Sequence, residues 1–139
     1  MEIMAVAYVD WNPLYSVNNA LLDEQHQQMF AIISDLHSAM FNKNSQQQMI
    51  AAIRQLVEYT QKHFAEEERQ MERSGFPGLA GHKAAHEKLK QQVIEIERRI
   101  HDAKDSMAGE MIGFLVSDWL VKHIIEMDKK YAPYLKKAD

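Results

Sequence analysis

Histidine and carboxylate side chains recur along this 139-residue chain at intervals that suit metal binding. Two pairs are each four residues apart: His63 with Glu67, and His82 with His86. In an α-helix this interval places both side chains on one face, adjacent along the axis. The complete set of candidate metal ligands is His26, His63, Glu67, His82, His86, His123 and Asp128. Imidazole and carboxylate suit borderline metals such as iron, and seven ligands are too many for one ion, so the sequence predicts a two-metal site.

A lone histidine on a buried helix face is more often a hydrogen-bonded core residue than a metal ligand. Here, however, five imidazoles and two carboxylates fall on predicted core faces. Burial would cost several kcal/mol for each uncompensated charge, and pairing these groups with one another offsets only part of that cost. Divalent cations would compensate the buried groups directly, so metal binding is the favoured interpretation.

The last pair departs from the four-residue rule, because His123 and Asp128 are five residues apart. In a regular α-helix this interval turns the second side chain about 140° away from the first. We interpret the pair as flanking a π-bulge, a one-residue insertion that restores the shared face. Tyr131 continues the core face from Asp128 if the bulge exists, whereas Met127 continues an uninterrupted helix.

Apolar and candidate ligand residues recur at alternating intervals of three and four residues in four stretches of the chain. These stretches cover residues 22–40, 49–67, 82–100 and 112–123. The pattern is typical of amphipathic helices that bury one face. Because the connections between them are short, the sequence predicts an all-α fold, an antiparallel up-down-up-down four-helix bundle.

Several local signals predict where these helices begin. Ser45, followed three residues later by Gln48, predicts a capping box at the start of the second helix. Asp105 or Ser106 is expected to cap the fourth helix. The segment 74–81 holds three of the five glycines and is expected to connect two helices.

The whole chain, 1–139, is interpreted as a single domain with enough apolar residues for a core. Residues 1–17 are expected to form a non-helical arm whose aromatic side chains pack across the bundle of residues 18–136. The apolar stretch 3–9 has no basic flank and is too short for a signal peptide or a membrane span. We therefore expect no membrane insertion.

Charge and composition exclude several classes of partner. The formal net charge is −4, and basic residues alternate with acidic ones, so a nucleic-acid-binding surface is not expected. The chain has no cysteine, which excludes disulfides and thiolate metal sites and favours the cytoplasm. No exterior apolar stripe stands out, so a monomer is expected.

Taken in order, the motifs resemble those of the hemerythrins in their single-domain bacterial form, over residues 11–131. The motifs that carry the resemblance are L-D-E-Q-H at 22–26, H-F followed by E-E-E at 63–68, H-x-x-x-H at 82–86, and W-L followed by H-I and H-x-x-x-x-D at 119–128. Each motif alone is weak, but their occurrence together and in order is specific.

The resemblance implies two non-haem iron ions, Fe2+ or Fe3+, joined by an oxo or hydroxo bridge. It implies that His82, His86 and His123 hold one iron, that His26 and His63 hold the other, and that Glu67 and Asp128 bridge them. The iron with two histidines would keep one open position, at which dioxygen binds reversibly. The implied role is an oxygen carrier, store or delivery protein rather than an enzyme.

Two other functional classes use the same ligands. A di-iron enzyme would detoxify peroxide or nitric oxide, or oxidise ferrous iron. An oxygen or iron sensor would report occupancy to a partner, although the sequence contains no attached signalling domain. Exposing the reduced protein to oxygen and then purging it separates the classes, because only a carrier recovers its reduced state.

Neighbours of the predicted ligands are assigned by helical angle. From their spacing, the residues expected to line an oxygen pocket are Met29, Phe64, Trp119 and Ile124. Glu66 and Glu68 turn away from the ligand face and are interpreted as solvated surface charges. Asp23 and Gln25 either orient a histidine ligand or are exposed. His37 and His101 are not expected to bind metal.

Overall fold

Four helices build the part of the chain that the computed structural model describes, residues 11–102 and 108–138. Helix α1 spans Ala20–Ala39, helix α2 spans Ser45–Ser74, and helix α3 spans Leu79–His101. The fourth helix covers residues 108–138 through the segments Ala108–Phe114, Leu115–Val121, Ile124–Asp128 and Lys129–Ala138. These segments form one continuous helix, since the residues at their junctions keep right-handed helical angles.

Short connections fold the helices into the predicted antiparallel four-helix bundle. Helix α2 packs along both α1 and α3, and the end of the fourth helix returns to pack against α2. The amphipathic stretches explain this packing: every predicted core position of α2 and α3 is buried. None of the helices in the described ranges combines the length and hydrophobicity that crossing a bilayer requires.

The core consists of two apolar clusters. The larger includes Leu56 and Phe64 of α2, Leu89 of α3 and Trp119 of the fourth helix. The smaller includes residues that lie one or two turns from the candidate ligands: Leu22, Met71, Tyr131 and Leu135. Along their helices, His26, Glu67 and Asp128 lie between members of the two clusters, so apolar side chains flank them on both sides.

The capping box predicted at the start of α2 is wrong. Ser45 is the first residue of α2, and Asn44 occupies the cap position without a side-chain hydrogen bond. The Gln48 side chain instead accepts a hydrogen bond from Asn42 in the preceding turn. At the other end of α2, Gly75 has a φ of 71°, a left-handed conformation that glycine adopts without strain.

The fourth helix contains the predicted π turn. In the segment Ile124–Asp128 the backbone widens, and the Lys129 N–H donates to the carbonyl of Ile124, five residues earlier. Tyr131 is therefore buried while Met127 is only half-buried, as the interpretation with a bulge predicted. A second π segment, Leu115–Val121, was not predicted.

The described part of the N-terminal arm is irregular apart from a short 3₁₀ turn at Pro13–Tyr15. The ring centroids of Trp11 and Tyr15 lie 5.9 and 5.5 Å from that of Phe30 on α1, so the arm packs on the bundle as expected. Residues 1–10 of the predicted arm and the predicted cap residues Asp105 and Ser106 lie outside the described residues.

Candidate metal centre

All seven predicted ligands converge in the interior of the bundle, and none is more than 7% exposed. Their potential ligand atoms form two overlapping groups, each with all atoms within 4.8 Å of one another. The first group is Glu67, His82, His86, His123 and Asp128; the second is His26, His63 and Glu67. Helix α2 supplies Glu67 to both groups, so the two groups share a carboxylate.

The two oxygens of Glu67 face different histidines. Oε1 lies 3.1 Å from Nε2 of His86, on α3. Oε2 lies 3.1 Å from Nε2 of His26 and 3.3 Å from Nε2 of His63. A carboxylate whose two oxygens face different histidines can bind one cation with each oxygen.

The two oxygens of Asp128 also face different histidines. Its Oδ1 lies 2.9 Å from Nε2 of His82 and 3.0 Å from Nε2 of His123. Its Oδ2 lies 3.2 Å from Nε2 of His26. The π turn before Asp128 brings this carboxylate under imidazoles from three helices.

The donor set fits metal ions because several of its buried ligand atoms lack an aligned hydrogen bond. The Nε2 atoms of His82, His86 and His123 are buried, and none makes a properly aligned hydrogen bond. Both Asp128 oxygens are in the same situation. Buried polar atoms are nearly always satisfied in proteins, and a cation satisfies several lone pairs at once.

Electrostatics keep the two carboxylates in the form that binds metals. Burial favours the neutral acids, but neighbouring histidines, chiefly His63 for Glu67 and His123 for Asp128, outweigh it and hold both pKa values well below the usual range. Burial also opposes protonation of His26, yet its contacts with Asp128 and Glu67 raise its pKa to about 10. Metal binding would therefore displace a proton from His26.

Two histidines are oriented by side chains outside the ligand set. The Nδ1–H of His63 donates to Oε1 of Gln25 at 2.7 Å, so Gln25 orients His63 rather than its sequence neighbour His26. The Nδ1–H of His86 donates to Oε2 of Glu68 at 2.8 Å. The interpretation of Glu68 as a solvated surface charge is therefore wrong.

The prediction for Glu68 failed for a geometric reason. The prediction rested only on the position of Glu68 around the axis of α2, relative to the core face. Because α2 has a neighbour on either side, a residue one step around from Glu67 faces α3 instead of solvent. By contrast, Glu66 pairs with the exposed Arg69 and does not contact a candidate ligand.

Tyr131 is a further contact that the sequence analysis missed. Its phenol donates to Oε2 of Glu67 at 2.5 Å. Burial, together with the charges of Glu67 and Asp128, raises the pKa of Tyr131 well above its usual value, so the phenol remains a donor. The signal was available, because Tyr131 follows Asp128 by one helical turn and shares its face.

Other polar residues near the set have separate roles. Asp23 accepts hydrogen bonds from the Ser16 hydroxyl and the Val17 N–H, and so fixes the entry of the arm into α1. His37 lies near the end of α1 with its ring 5.3 Å from that of Phe41. His101 is exposed in the last turn of α3. Neither of these histidines belongs to the ligand groups found among the described residues.

A cavity of about 10 Å³ lies against the cluster, next to ligands of both groups. This is about the space that one water molecule needs. Its lining comprises His26, Met29, His63, Phe64, Leu89, Trp119, Leu120, His123 and Asp128. Three of the four predicted pocket residues therefore line it; Ile124 is buried nearby but is not part of the lining, and Leu89 and Leu120 were not predicted.

Comparison with known proteins agrees with this geometry. The sequence matches the family described as Hemerythrin HHE cation binding domain over residues 17–135. A bacteriohemerythrin of Methylococcus capsulatus is 30% identical over 131 residues, covering 94% of this chain and 98% of that protein. A myohemerythrin of Sipunculus nudus is 31% identical over 121 residues, covering 87% of this chain and 88% of that protein.

The fold is shared as well as the sequence. The crystal structure of a wild-type hemerythrin has a TM-score of 0.83 to this chain at 30% identity, covering 93% of this chain and 98% of the other. The resemblance inferred from the motifs is thereby confirmed: this chain belongs to the hemerythrin family.

Proposed function

We propose that this protein binds dioxygen reversibly at a di-iron centre, as a carrier, store or delivery protein rather than as an enzyme. The observation that carries the proposal is the convergence of seven buried ligand side chains, among which the Nε2 atoms of His82, His86 and His123 and both Asp128 oxygens lack aligned hydrogen bonds. Bound iron would supply the electrons and the coordination position that dioxygen uptake needs. The protein's own residues supply the ligands, the charge balance and a shielded pocket.

In the proposed arrangement His82, His86 and His123 hold one iron, and His26 and His63 hold the other. Glu67 and Asp128 bridge the pair. The division of the carboxylate oxygens supports this assignment, since each acid presents one oxygen to the group of three histidines and the other to the group of two.

The oxygen pocket is proposed on the side with two histidines. The small cavity supports this placement, because both His26 and His63 line it, whereas of the three histidines of the other group only His123 does. Met29, Phe64 and Trp119 give it an apolar wall. The Phe64 ring also stacks on the His86 ring, with centroids 3.8 Å apart, and so shields the centre from that side.

The ligand assignment is tested by iron analysis of reconstituted protein. We expect two irons per chain in the wild type and fewer in His63→Ala. His101→Ala is the matched control, because His101 is exposed in the last turn of α3, and it should retain two irons. Equal iron content in both variants would contradict the assignment.

The function is tested by mixing reduced, iron-loaded protein with oxygen under spectroscopic observation and then purging the oxygen. Recovery of the initial reduced spectrum over repeated cycles is expected of a carrier. Zinc-loaded protein is the control and should show no change, because zinc has no redox chemistry. Irreversible conversion in the first cycle would contradict reversible binding and indicate an enzyme or uncontrolled oxidation.

We further propose that the chain 1–139 works as one domain, as a monomer, and in the cytoplasm. Among the described residues, the large exposed apolar side chains are spread over five segments, which supports the monomer: Leu14, Leu21, Phe41, Ile94 and Ile125. Light scattering across a range of concentrations should give the monomer mass. Fractionation of cells that express the protein should recover it with cytoplasmic markers.

A further inference from the structure

The two histidines with outer hydrogen-bond partners are not equivalent. His86 donates to Glu68, a carboxylate, whereas His63 donates to Gln25, a neutral amide. The two contacts are of similar length, 2.8 and 2.7 Å. Each orients one imidazole so that its Nε2 faces the cluster, but only one brings a negative charge to the back of the ring.

This difference has chemical consequences for the ring. A carboxylate can only accept, so Glu68 requires His86 to carry its proton on Nδ1 and to present a lone pair on Nε2. An amide can reverse its orientation and either accept or donate, so Gln25 constrains His63 less strongly. A negative acceptor also makes the imidazole a stronger electron donor to a metal.

Glu68 is placed so that its charge acts on His86 and is not neutralised by a cation. Its side chain is 22% exposed and within ion-pair distance of His86. Among the described residues no lysine or arginine forms an ion pair with Glu68. Glu66, two residues earlier, has the same charge but is paired with Arg69.

We propose that Glu68 is a positioning residue that lowers the reduction potential of the centre through His86, and that Gln25 keeps the His63 side less electron-rich. This inference rests on the proposed function, because it assigns the two histidines to different irons. The ion held by His86 is then the one better suited to the higher oxidation state. The ion held by His63 would be the less easily oxidised of the two.

The test exchanges charge without changing shape. Glu68→Gln should raise the midpoint potential of the iron-loaded protein in a spectroelectrochemical titration, and Gln25→Glu should lower it. The matched controls alter net charge equally without contacting a candidate ligand: Glu66→Gln for the first variant, and Gln27→Glu, at an exposed position of α1, for the second. Each control should shift the potential by less than half as much as its partner variant.

A second readout is affinity for zinc, measured by competition with a chelator. Loss of an outer partner of a histidine ligand costs about 10–100-fold in metal affinity. Glu68→Gln keeps an acceptor beside His86 but removes its negative charge, so we expect a loss up to this range for Glu68→Gln and none for Glu66→Gln. If Glu68 and Gln25 had only a structural role, Glu68→Gln and Gln25→Glu would change stability but would not shift the midpoint potential in opposite directions.

The inference is overturned if Glu68→Gln shifts the potential no more than Glu66→Gln, or if Glu68→Gln and Gln25→Glu shift it in the same direction. Gln25→Glu keeps the test decisive if Glu68→Gln does not fold. Iron content separates this failure from failure of the proposed function. If the wild type binds two irons but the variants keep its midpoint potential, only the inference is contradicted. If the wild type does not bind two irons, the proposed function is contradicted.

Discussion

Helix α3 and the fourth helix each contribute one pair of side chains to the cluster, but they do so with different backbone geometry. In α3, His82 and His86 are four residues apart and share a face of a regular α-helix. In the fourth helix, His123 and Asp128 are five residues apart and share a face only because the segment Ile124–Asp128 is π-helical. The same placement is thus achieved with one residue more.

The difference shows which features are local and which depend on the rest of the bundle. The α3 pair needs only the intrinsic periodicity of the helix. The fourth-helix pair needs a wide turn, which is rare and is found mostly at functional sites. The contacts that favour it are tertiary: Asp128 reaches imidazoles of α1 and α3, and Tyr131 reaches Glu67 on α2.

The largest expected effect is deletion of Ala84, an exposed residue between the two α3 ligands. Deletion rotates the two halves of a regular helix by about 100° relative to each other, so His86 and the apolar residues after it leave the core face. We expect loss of stable iron binding and a decrease of more than about 4 kcal/mol in the free energy of unfolding. Iron analysis and denaturant unfolding measure both.

The matched deletion in the fourth helix should behave differently. Removing Ile125, an exposed residue of the π turn, leaves His123 and Asp128 four residues apart, the interval that a regular α-helix accommodates on one face. We expect this variant to fold and to retain two irons. If it lost iron as completely as the Ala84 deletion, the interpretation of the π turn as a single-residue insertion would be wrong.

The same contrast explains what the sequence could predict. The core face of α3 was predicted at every position, because burial there follows the period of a regular helix. The π turn at Ile124–Asp128 was predicted only because two ligand-type residues required it. The π segment Leu115–Val121 contains no such pair, and nothing in its residue pattern distinguishes it from an α-helix.

The remaining errors come from contacts between helices. Glu68 was misassigned because one-dimensional periodicity separates core from exterior but does not say which exterior positions face a neighbouring helix. Ser45 matched the spacing of a capping box, yet the turn before it places Asn44 at the cap. Ligand identity was therefore predictable from residue types and spacing, whereas outer contacts required the packing of the bundle.

The next effect is that of iron removal. Without cations the buried imidazoles and carboxylates are only partly compensated, so we expect the melting temperature to fall by at least about 10 °C, equivalent to about 3 kcal/mol. Hydrogen exchange should rise more in Ile124–Asp128 than around His82 and His86, because the wide turn depends on the cluster for its geometry. Uniform exchange along both helices would remove the proposed difference between them.

A smaller effect is expected from Asp128→Asn, which preserves shape but removes the charge that Oδ1 and Oδ2 present to three imidazoles. Loss of an outer partner alone costs about 10–100-fold in metal affinity, and loss of a bridging charge should cost at least as much. Asp118→Asn is the control, because Asp118 is exposed on the same helix. Wild-type metal affinity in Asp128→Asn would argue against a bridging role.

The smallest effect is expected from the hydrogen bond that joins α3 to the fourth helix. The indole N–H of Trp119, in the π segment Leu115–Val121, donates to the carbonyl of Leu89 on α3 at 2.9 Å. Trp119→Phe removes this hydrogen bond and leaves a small void, so the free energy of unfolding should fall by about 1–3 kcal/mol. Trp11→Phe is the control and should cost less, because Trp11 is only half-buried. Both are measured by urea unfolding of iron-loaded protein; equal losses would mean that the hydrogen bond between α3 and the fourth helix contributes nothing to stability.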